Sequence, residues 1–338
     1  MASTRHNHVK FLTPPARFST ACGVFCALVT ALLFSLLSLS CKEKRETSPW
    51  EGKEPVQVEK TKRTKLKPEL ADTPTTFMAY NLRNYLTTRR QNKQRPKPEK
   101  EVNAIISNIA KVKPDILGIC EIGTEADLAE LQNKLNQAGC DFQHTYLVGG
   151  SDEIRRQAIL SRYPITRHPS PTDTYTLNGE QLTVRRGILD ATIQTPAGDI
   201  RFLGVHFKSK MTNREYDQAL IRINEAYILR RRADEILQKK NAKLIAYGDF
   251  NDTKTSATMR IVKDYHNYPM TLTPVDLRAS DGSRWTHHWK IHDLYSRIDF
   301  VLVSRGMYPH VQKKESYLLD LDKNDPASDH RPLIIQFK

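Results

Sequence analysis

Short apolar runs recur from Thr75 to Phe337, and several of them begin or end on an acid, an amide or a histidine. Asn81, Glu121, His206, Asp249 and Asn251 each lie at or just beyond the end of such a run. Asp299 lies near the start of another, and Asp329-His330 stand just before the last. The runs read as strands: Thr76–Tyr80, Asp115–Cys120, Gln157–Leu160, Leu182–Ile193, Ile200–His206, Leu244–Tyr247, Ile298–Val303 and Leu333–Phe337. A strand body anchors its terminal side chain at the rim of a sheet. Acids and amides repeated at strand ends can therefore converge on one site.

Helical spacing separates some of these strands. Val102, Ile105, Ile106 and Ile109 mark a helix over Glu99–Val112, stopped by Pro114 and Asp115. Thr124 caps a second helix running to Ala138, with Gly139 as its stop. Tyr216–Leu237 reads as a long third helix. Strands linked partly by helices and partly by hairpins fit a two-layered sheet core with helices outside, not a purely parallel sheet. The chain has no internal repeat and no Gly-rich phosphate loop of the P-loop or dinucleotide type.

The first 41 residues stand apart from this pattern. Basic residues precede 24 uncharged residues from Phe18 to Cys41, which reads as a secretory signal or a membrane anchor. Ser38-Leu39-Ser40-Cys41-Lys42 resembles a bacterial lipoprotein processing site, in which Cys41 would become the lipidated terminus. Residues 42–73, rich in Lys, Glu, Thr and Pro, read as a flexible charged linker. The remaining 74–338 read as one domain, long enough for a sizeable core. Of the formal net charge of +14, residues 71–338 carry +8, a balance that favours nucleic acid, anionic lipid or phosphorylated small molecules. Only Cys120 and Cys140 of the five cysteines fall in this region, too few for a disulfide scaffold. Cys120 reads as a buried free thiol, with a Cys120–Cys140 bridge as the alternative. Without a C-x-x-C pair, a zinc ribbon is not expected.

Carboxylate and amide oxygens at strand ends suit a hard ion such as Mg2+. Seven segments in order make the chemistry more specific: Tyr80-Asn81-Leu82-Arg83, Pro114 to Glu121, Ala158 to Ile165, Val205 to Lys210, Gly248-Asp249-Phe250-Asn251-Asp252, Ser296 to Leu302, and Ser328-Asp329-His330-Arg331-Pro332. With these the chain resembles the endonuclease/exonuclease/phosphatase superfamily, which includes pancreatic-type deoxyribonucleases, abasic-site endonucleases, neutral sphingomyelinases and inositol polyphosphate 5-phosphatases. The resemblance covers nearly all of residues 75–338. It implies an α+β fold, a four-layered α/β/β/α sandwich of two packed mixed sheets with helices outside.

It also implies roles. Glu121, Asp329 and Asn81 would hold Mg2+ or Mn2+ beside the phosphate. Asp249 would act as the base on an attacking water, and Asn251 would donate to a phosphate oxygen. His330 would bind or protonate a phosphate oxygen, with Asp299 on its other ring nitrogen, and His206 would be a second histidine on the phosphate. Lys208 and Lys210 would hold substrate phosphates, or else be ordinary solvated lysines, in a His-Phe-Lys-Ser-Lys segment similar to that of secreted bacterial nucleases. The stretch Trp285-Thr286-His287-His288-Trp289 to His292 reads as a loop packing beside the site rather than a zinc site, although its rings could stack on a base. The implied function is metal-dependent phosphodiester hydrolysis, most directly of DNA or RNA outside the cytoplasm, with nucleic acid as partner, a membrane tether through the leader and no protein partner. A lipid-directed sphingomyelinase or phosphoinositide-type enzyme, and an inactive binding module on the same fold, are the alternatives.

Overall fold

Alternation along the strands decides the layering. In β1 (Thr75–Tyr85) Phe77 and Ala79 join one buried cluster, while Met78, Tyr80 and Leu82 join another. Successive side chains of a strand point to opposite faces, so one strand feeds two cores. The computed structural model describes residues 73–338 apart from 86–95, 170–172, 212–215, 265, 267, 323 and 324. The leader read at 1–41, and all but the last residue of the linker read at 42–73, lie outside the described residues.

The first half continues with α1 (Glu99–Val112), β2 (Ile116–Ile122), α2 (Glu125–Gln137), β3 (His144–Val148), β4 (Arg156–Ser161) and β5 (Ile165–Arg167). A small hairpin of β6 (Thr174–Leu177) and β7 (Glu180–Thr183) precedes β8 (Ile188–Thr195) and β9 (Gly198–His206). Then come α3 (Gln218–Leu237), β10 (Leu244–Asp249), α4 (Ala257–Lys263) and β11 (Leu272–Pro274). A second hairpin, β12 (His287–Trp289) with β13 (Leu294–Ser296), leads into β14 (Asp299–Ser304), β15 (Tyr317–Leu318) and β16 (Leu333–Phe337). Two six-stranded sheets result, ordered β15-β16-β1-β2-β4-β3 and β11-β14-β10-β9-β8-β5. Both are mixed: β1–β2 and β9–β10 are parallel, and their other pairings are antiparallel.

Helices cover the outer faces. Val102, Ile105 and Ile109 of α1 and Leu128, Leu131 and Leu135 of α2 pack on Met78, Leu117 and Leu160 of the first sheet. Thr124 and Asp127 form a reciprocal capping box at the start of α2, satisfying two otherwise orphaned amides. Ala226, Leu229 and Met259 from α3 and α4 pack on Leu203, Leu244 and Phe300 of the second. Between the sheets lie Phe77, Ile159, Leu189, Phe202, Ile245, Tyr247 and Val301. The architecture is thus the expected α/β/β/α sandwich. Among the described residues no helix is long and apolar enough to cross a membrane.

Tyr247 occupies the middle of the inter-sheet layer, edge-on to Phe77 at 4.9 Å between ring centroids. Its ring uses space that only glycine leaves: a Cβ on Gly118 would lie 2.2 Å from Tyr247 Cε2. The Tyr247 hydroxyl is buried with no hydrogen-bond partner, and burial pushes its pKa well up. An unsatisfied buried hydroxyl costs about 1–3 kcal/mol. Tyr247→Phe is therefore expected to leave denaturant stability unchanged or to raise it by about 1 kcal/mol; a loss larger than that would mean the hydroxyl has a partner.

Several boundaries differ from the sequence expectation. The single strand expected over Leu182–Ile193 breaks between β7 and β8, where Gly187 adopts φ +69° and donates its amide to Val184 O. Helix α3 begins at Gln218, because the Asp217 carboxylate accepts from Ala219 N at 2.7 Å and caps it. Strand β1 runs on past Asn81 to Tyr85 through a register shift, with Arg83 and Asn84 at positive φ. Cys120 and Cys140 are both buried and free, which removes the disulfide alternative.

Candidate active site

Sheet register lines up three of the expected residues. In the second sheet Asp249, the last residue of β10, pairs with His206 at the end of β9 and with Asp299 at the start of β14. The three form one row across neighbouring strands. Across from it, Asn81 of the first sheet donates from Nδ2 to Asp249 Oδ2 at 3.1 Å, joining the two sheets. The same amide nitrogen lies 3.4 Å from Glu121 Oε1 and 3.5 Å from His330 Nε2.

The turn before β16 is fixed by its own side chains. Ser328 donates its hydroxyl to Asn81 O at 2.8 Å and accepts from His330 N at 3.1 Å. His330 then sits with Nδ1 2.8 Å from Asp299 Oδ2, and with Nε2 3.9 Å from both Asp249 Oδ2 and Asp329 Oδ1. Thr286, fully buried, accepts from the amides of Ile298 and Asp299 through its hydroxyl, which holds the start of β14.

Glu121 lies inside β2 at φ +63°, a conformation an L-residue other than Asn or Asp rarely takes. Such strain persists where the surroundings over-determine it, and it clusters at working sites. Its Oε2 accepts from Asn84 N at 3.0 Å and lies 3.7 Å from Arg155 Nε; its Oε1 lies 3.8 Å from His206 Nε2. Asn251 is also left-handed, at φ +50°. It donates its backbone amide to Asp249 Oδ1 and its side-chain amide to Phe207 O.

Burial and neighbours set opposite protonation states. Burial, then the adjacent Asp299, push the Asp249 carboxyl up to about 7, against the pull of His330 and the Asn251 amide. Burial alone would lower His330, but the Asp299 charge and hydrogen bond, helped by Asp249 and Asp329, outweigh it and raise the ring to about 10. Burial, then Arg186 and Arg155, hold His206 well below the ordinary range, and its Nδ1 has no partner. For Asp329 burial is opposed by the neighbouring His287 and by the His330 and Arg83 charges, which hold the carboxyl below the usual carboxylate range. One buried imidazolium thus faces one neutral imidazole across a row of acids.

The His330–Asp299 pair carries a stability consequence. A histidine raised in the folded state contributes stability that is complete below about pH 6.5 and lost as the pH rises through about 10. Asp299→Asn is expected to cost about 3–5 kcal/mol near pH 6, because it strands a buried charge. Urea unfolding should show that cost shrinking towards about pH 10; a cost independent of pH would contradict the pairing.

The two lysines stand in different surroundings. Lys208 is buried; its Nζ donates to Ser209 O and Met211 O, and burial with Arg186 and Arg185 pushes it down to about 8. Its backbone amide donates to the buried Glu225 of α3 at 2.7 Å, which anchors the exit from β9. Lys210 is exposed and lies 3.4 Å from Asp252 Oδ1. The structure instead brings up residues given no role above: Arg83, 3.6 Å from Asp329; Arg155 beside Glu121; and His287, whose Nε2 is 3.8 Å from Asp329 Oδ2. His287 comes from the stretch read as a loop, which folds as the β12–β13 hairpin.

The acidic groups could hold a metal ion. Carboxylates of Glu121, Asp249 and Asp329 are linked through Asn81 and His330 in one continuous chain of contacts. Two groups have ligand atoms within 4.8 Å of one another and could hold a metal: Asp249, Asp299 and His330, and His287, Asp329 and His330. Glu121 belongs to neither group. Beside the site opens a pocket of about 400 Å³, lined among others by Trp285, His288, Tyr295, Asp329, His330 and Arg331.

The fold has solved relatives. An endonuclease/exonuclease/phosphatase family protein from Leptotrichia buccalis is 17% identical, with a TM-score of 0.53, 78% of this chain and 99% of that one covered. The human Nocturnin catalytic domain with bound sulfate is 17% identical, with a TM-score of 0.54 over 78% of this chain and 94% of that one. Sphingomyelinase C from Streptomyces griseocarneus is 15% identical, with a TM-score of 0.53 over 78% and 99%. No curated protein matches the sequence. The family model for the endonuclease/exonuclease/phosphatase family matches residues 78–330. With that match spanning most of the chain and both sheets, the protein belongs to the endonuclease/exonuclease/phosphatase family of phosphoester hydrolases.

Proposed function

We propose that the protein is a divalent-metal-dependent phosphodiesterase that cleaves nucleic acid by attack of water in line on phosphorus. The observation that carries this reading is the row His206–Asp249–Asp299 with His330 against it, an acceptor for a proton set beside a charged donor. Glu121, Asp329 and Asn81 would hold Mg2+ or Mn2+. A bound ion of this kind supplies charge stabilisation to the phosphate oxygens. Asp249 takes the proton of the water. His330 donates from Nε2 to a phosphate oxygen while Asp299 keeps Nδ1 engaged, and neutral His206 and Asn251 complete the set of groups around the developing charge.

Nucleic acid is favoured over other phosphodiesters by the wall of the adjoining pocket. Trp285 and Tyr295 lie 4.9 Å apart edge to face, and His288 stacks on Tyr295 at 4.0 Å, offering ring faces to an unpaired base. Arg83, Arg155 and Lys210 supply positive charge for the backbone. The same reading takes residues 1–41 as an export signal and Cys41 as a lipid anchor, so that the enzyme works outside the cytoplasm. A second reading, a lipid phosphodiesterase of the kind that the sphingomyelinase relative's name describes, draws on the β12–β13 hairpin. Its turn exposes Ile291 by 86%, with Trp289 and Leu294 about half exposed, an apolar tip beside the site.

The deciding experiment offers the protein DNA, RNA, sphingomyelin and bis-p-nitrophenyl phosphate, each with Mg2+, with Mn2+ and with chelator. Metal-dependent cleavage of DNA or RNA supports the nuclease, and turnover confined to sphingomyelin transfers the site to the lipid reading. Absence of turnover on all four refutes both and leaves a binding module.

A further inference from the structure

We infer that His287, Asp329 and His330 form a metal site of their own, suited to zinc rather than magnesium, whose occupation turns the hydrolase off. The site itself rests only on the geometry below; the switching-off rests on the hydrolytic reading above.

Each ring aims one nitrogen at a different oxygen of Asp329. His287 Nε2 lies 3.8 Å from Oδ2, and His330 Nε2 lies 3.9 Å from Oδ1. In both rings the other nitrogen is already held: His287 Nδ1 is 3.3 Å from Ser296 Oγ, and His330 Nδ1 is 2.8 Å from Asp299 Oδ2. Metal-binding histidines are held in just this way, by an oxygen partner on the nitrogen that does not bind, which fixes tautomer and ring angle. The backbone is held too. His287 and His330 form an antiparallel bridge, His288 N donates to Asp329 O at 2.9 Å, and Arg331 N donates to Thr286 O at 2.7 Å.

The ligand chemistry selects the ion. Two imidazole nitrogens and one carboxylate, with a position left for water, match the ligand set of zinc. Magnesium demands oxygen and keeps several waters, so it is poorly served here. Metal–ligand bonds near 2.0–2.2 Å in a tetrahedron put ligand atoms about 3.3–3.6 Å apart. The three atoms stand within 4.8 Å of one another, so side-chain rotations of an ångström or less close the site. Access runs through the pocket that Asp329 and His330 line. An ion bound there fills the gap that separates both rings from the Asp329 carboxylate. It also removes His330 Nε2 and Asp329 from the hydrolytic machinery together.

The test uses the full chain in detergent, with Co2+ as a spectroscopic stand-in for Zn2+. The wild type is expected to take up one Co2+ with the strong visible band of a tetrahedral site, displaced by Zn2+. His287→Ala and His287→Gln, at a partly exposed position, are expected to lose the band and to bind Zn2+ about tenfold more weakly or worse. Zn2+ is expected to inhibit Mg2+-dependent hydrolysis of bis-p-nitrophenyl phosphate at a concentration that rises about tenfold in both variants. A wild type without the tetrahedral band, or variants that bind Zn2+ as tightly as wild type, would overturn the site. Binding needs no substrate, so an intact zinc site in a chain that hydrolyses nothing refutes the proposed function and leaves this site standing.

Discussion

Asp249→Asn is expected to lower phosphodiester hydrolysis by about 10²–10⁴-fold while making the metal-free fold more stable at about pH 8. Both effects have one origin. Asp249 is buried at the end of β10, with Asp299 paired beside it, and its carboxyl is pushed up to about 7. A carboxyl raised in the folded state favours folding fully below its ordinary value near 4, and that contribution is lost as the pH rises through about 7. At about pH 8 the wild type therefore folds around an unfavourable buried charge, which the variant lacks. The Asn keeps an acceptor oxygen for Asn81 or for the Asn251 amide, and its size is unchanged. Urea unfolding in chelator at about pH 5 and pH 8 checks the sign: the gain belongs to the higher pH alone. A variant that is active, or that is destabilised at the higher pH, would remove Asp249 from the role of base. Stability stored against function at one residue is common at working sites.

Gly118→Ala is expected to cost about 1–3 kcal/mol or more, a large effect for one methyl group. The added Cβ would meet Tyr247 at 2.2, 2.5 and 2.8 Å, and this ring cannot swing away because Phe77 and Phe202 flank it. Gly118 sits in β2 three residues before Glu121, so a shifted β2 would also move the acid. Combining Gly118→Ala with Tyr247→Leu should recover part of the loss, and a double-mutant cycle should return a coupling above about 0.5 kcal/mol. Additive losses would show that the ring is not what excludes the methyl group.

Much of this was legible in the chain. Alternation and β-branched runs mark the sheet strands because the side-chain period of a strand is written in adjacent residues. The placement of His206, Asp249 and Asp299 at strand ends follows for the same reason, whereas Asn81 stands inside β1, which runs on to Tyr85. Other features are set by partners distant in sequence. His287 reaches Asp329 through a backbone bridge to His330, and nothing local in Trp285–His292 announces it. Lys208 reads as a free cation until Glu225, 17 residues on, ties its amide down and the Ser209 and Met211 carbonyls take its ammonium group. Arg155 near Glu121 depends on the end of β2 turning at φ +63°, and a glutamate gives no local warning of that turn. Arg222, Arg230 and Arg232 are buried on α3, where their guanidinium groups meet Asp252, Val262 O and Asp173. Charge patterning alone would have put those arginines on a solvated face.

In the proposed function these side chains direct water onto phosphorus. Hydrolysis of bis-p-nitrophenyl phosphate in isotopically labelled water, with Mg2+ and with chelator, tests it directly. Mg2+-dependent turnover is expected, lowered about 10²–10⁴-fold in Asp249→Asn, with one labelled oxygen in the p-nitrophenyl phosphate product and none in p-nitrophenol. Label in the p-nitrophenol, or turnover that is the same with chelator and in the variant, would contradict it.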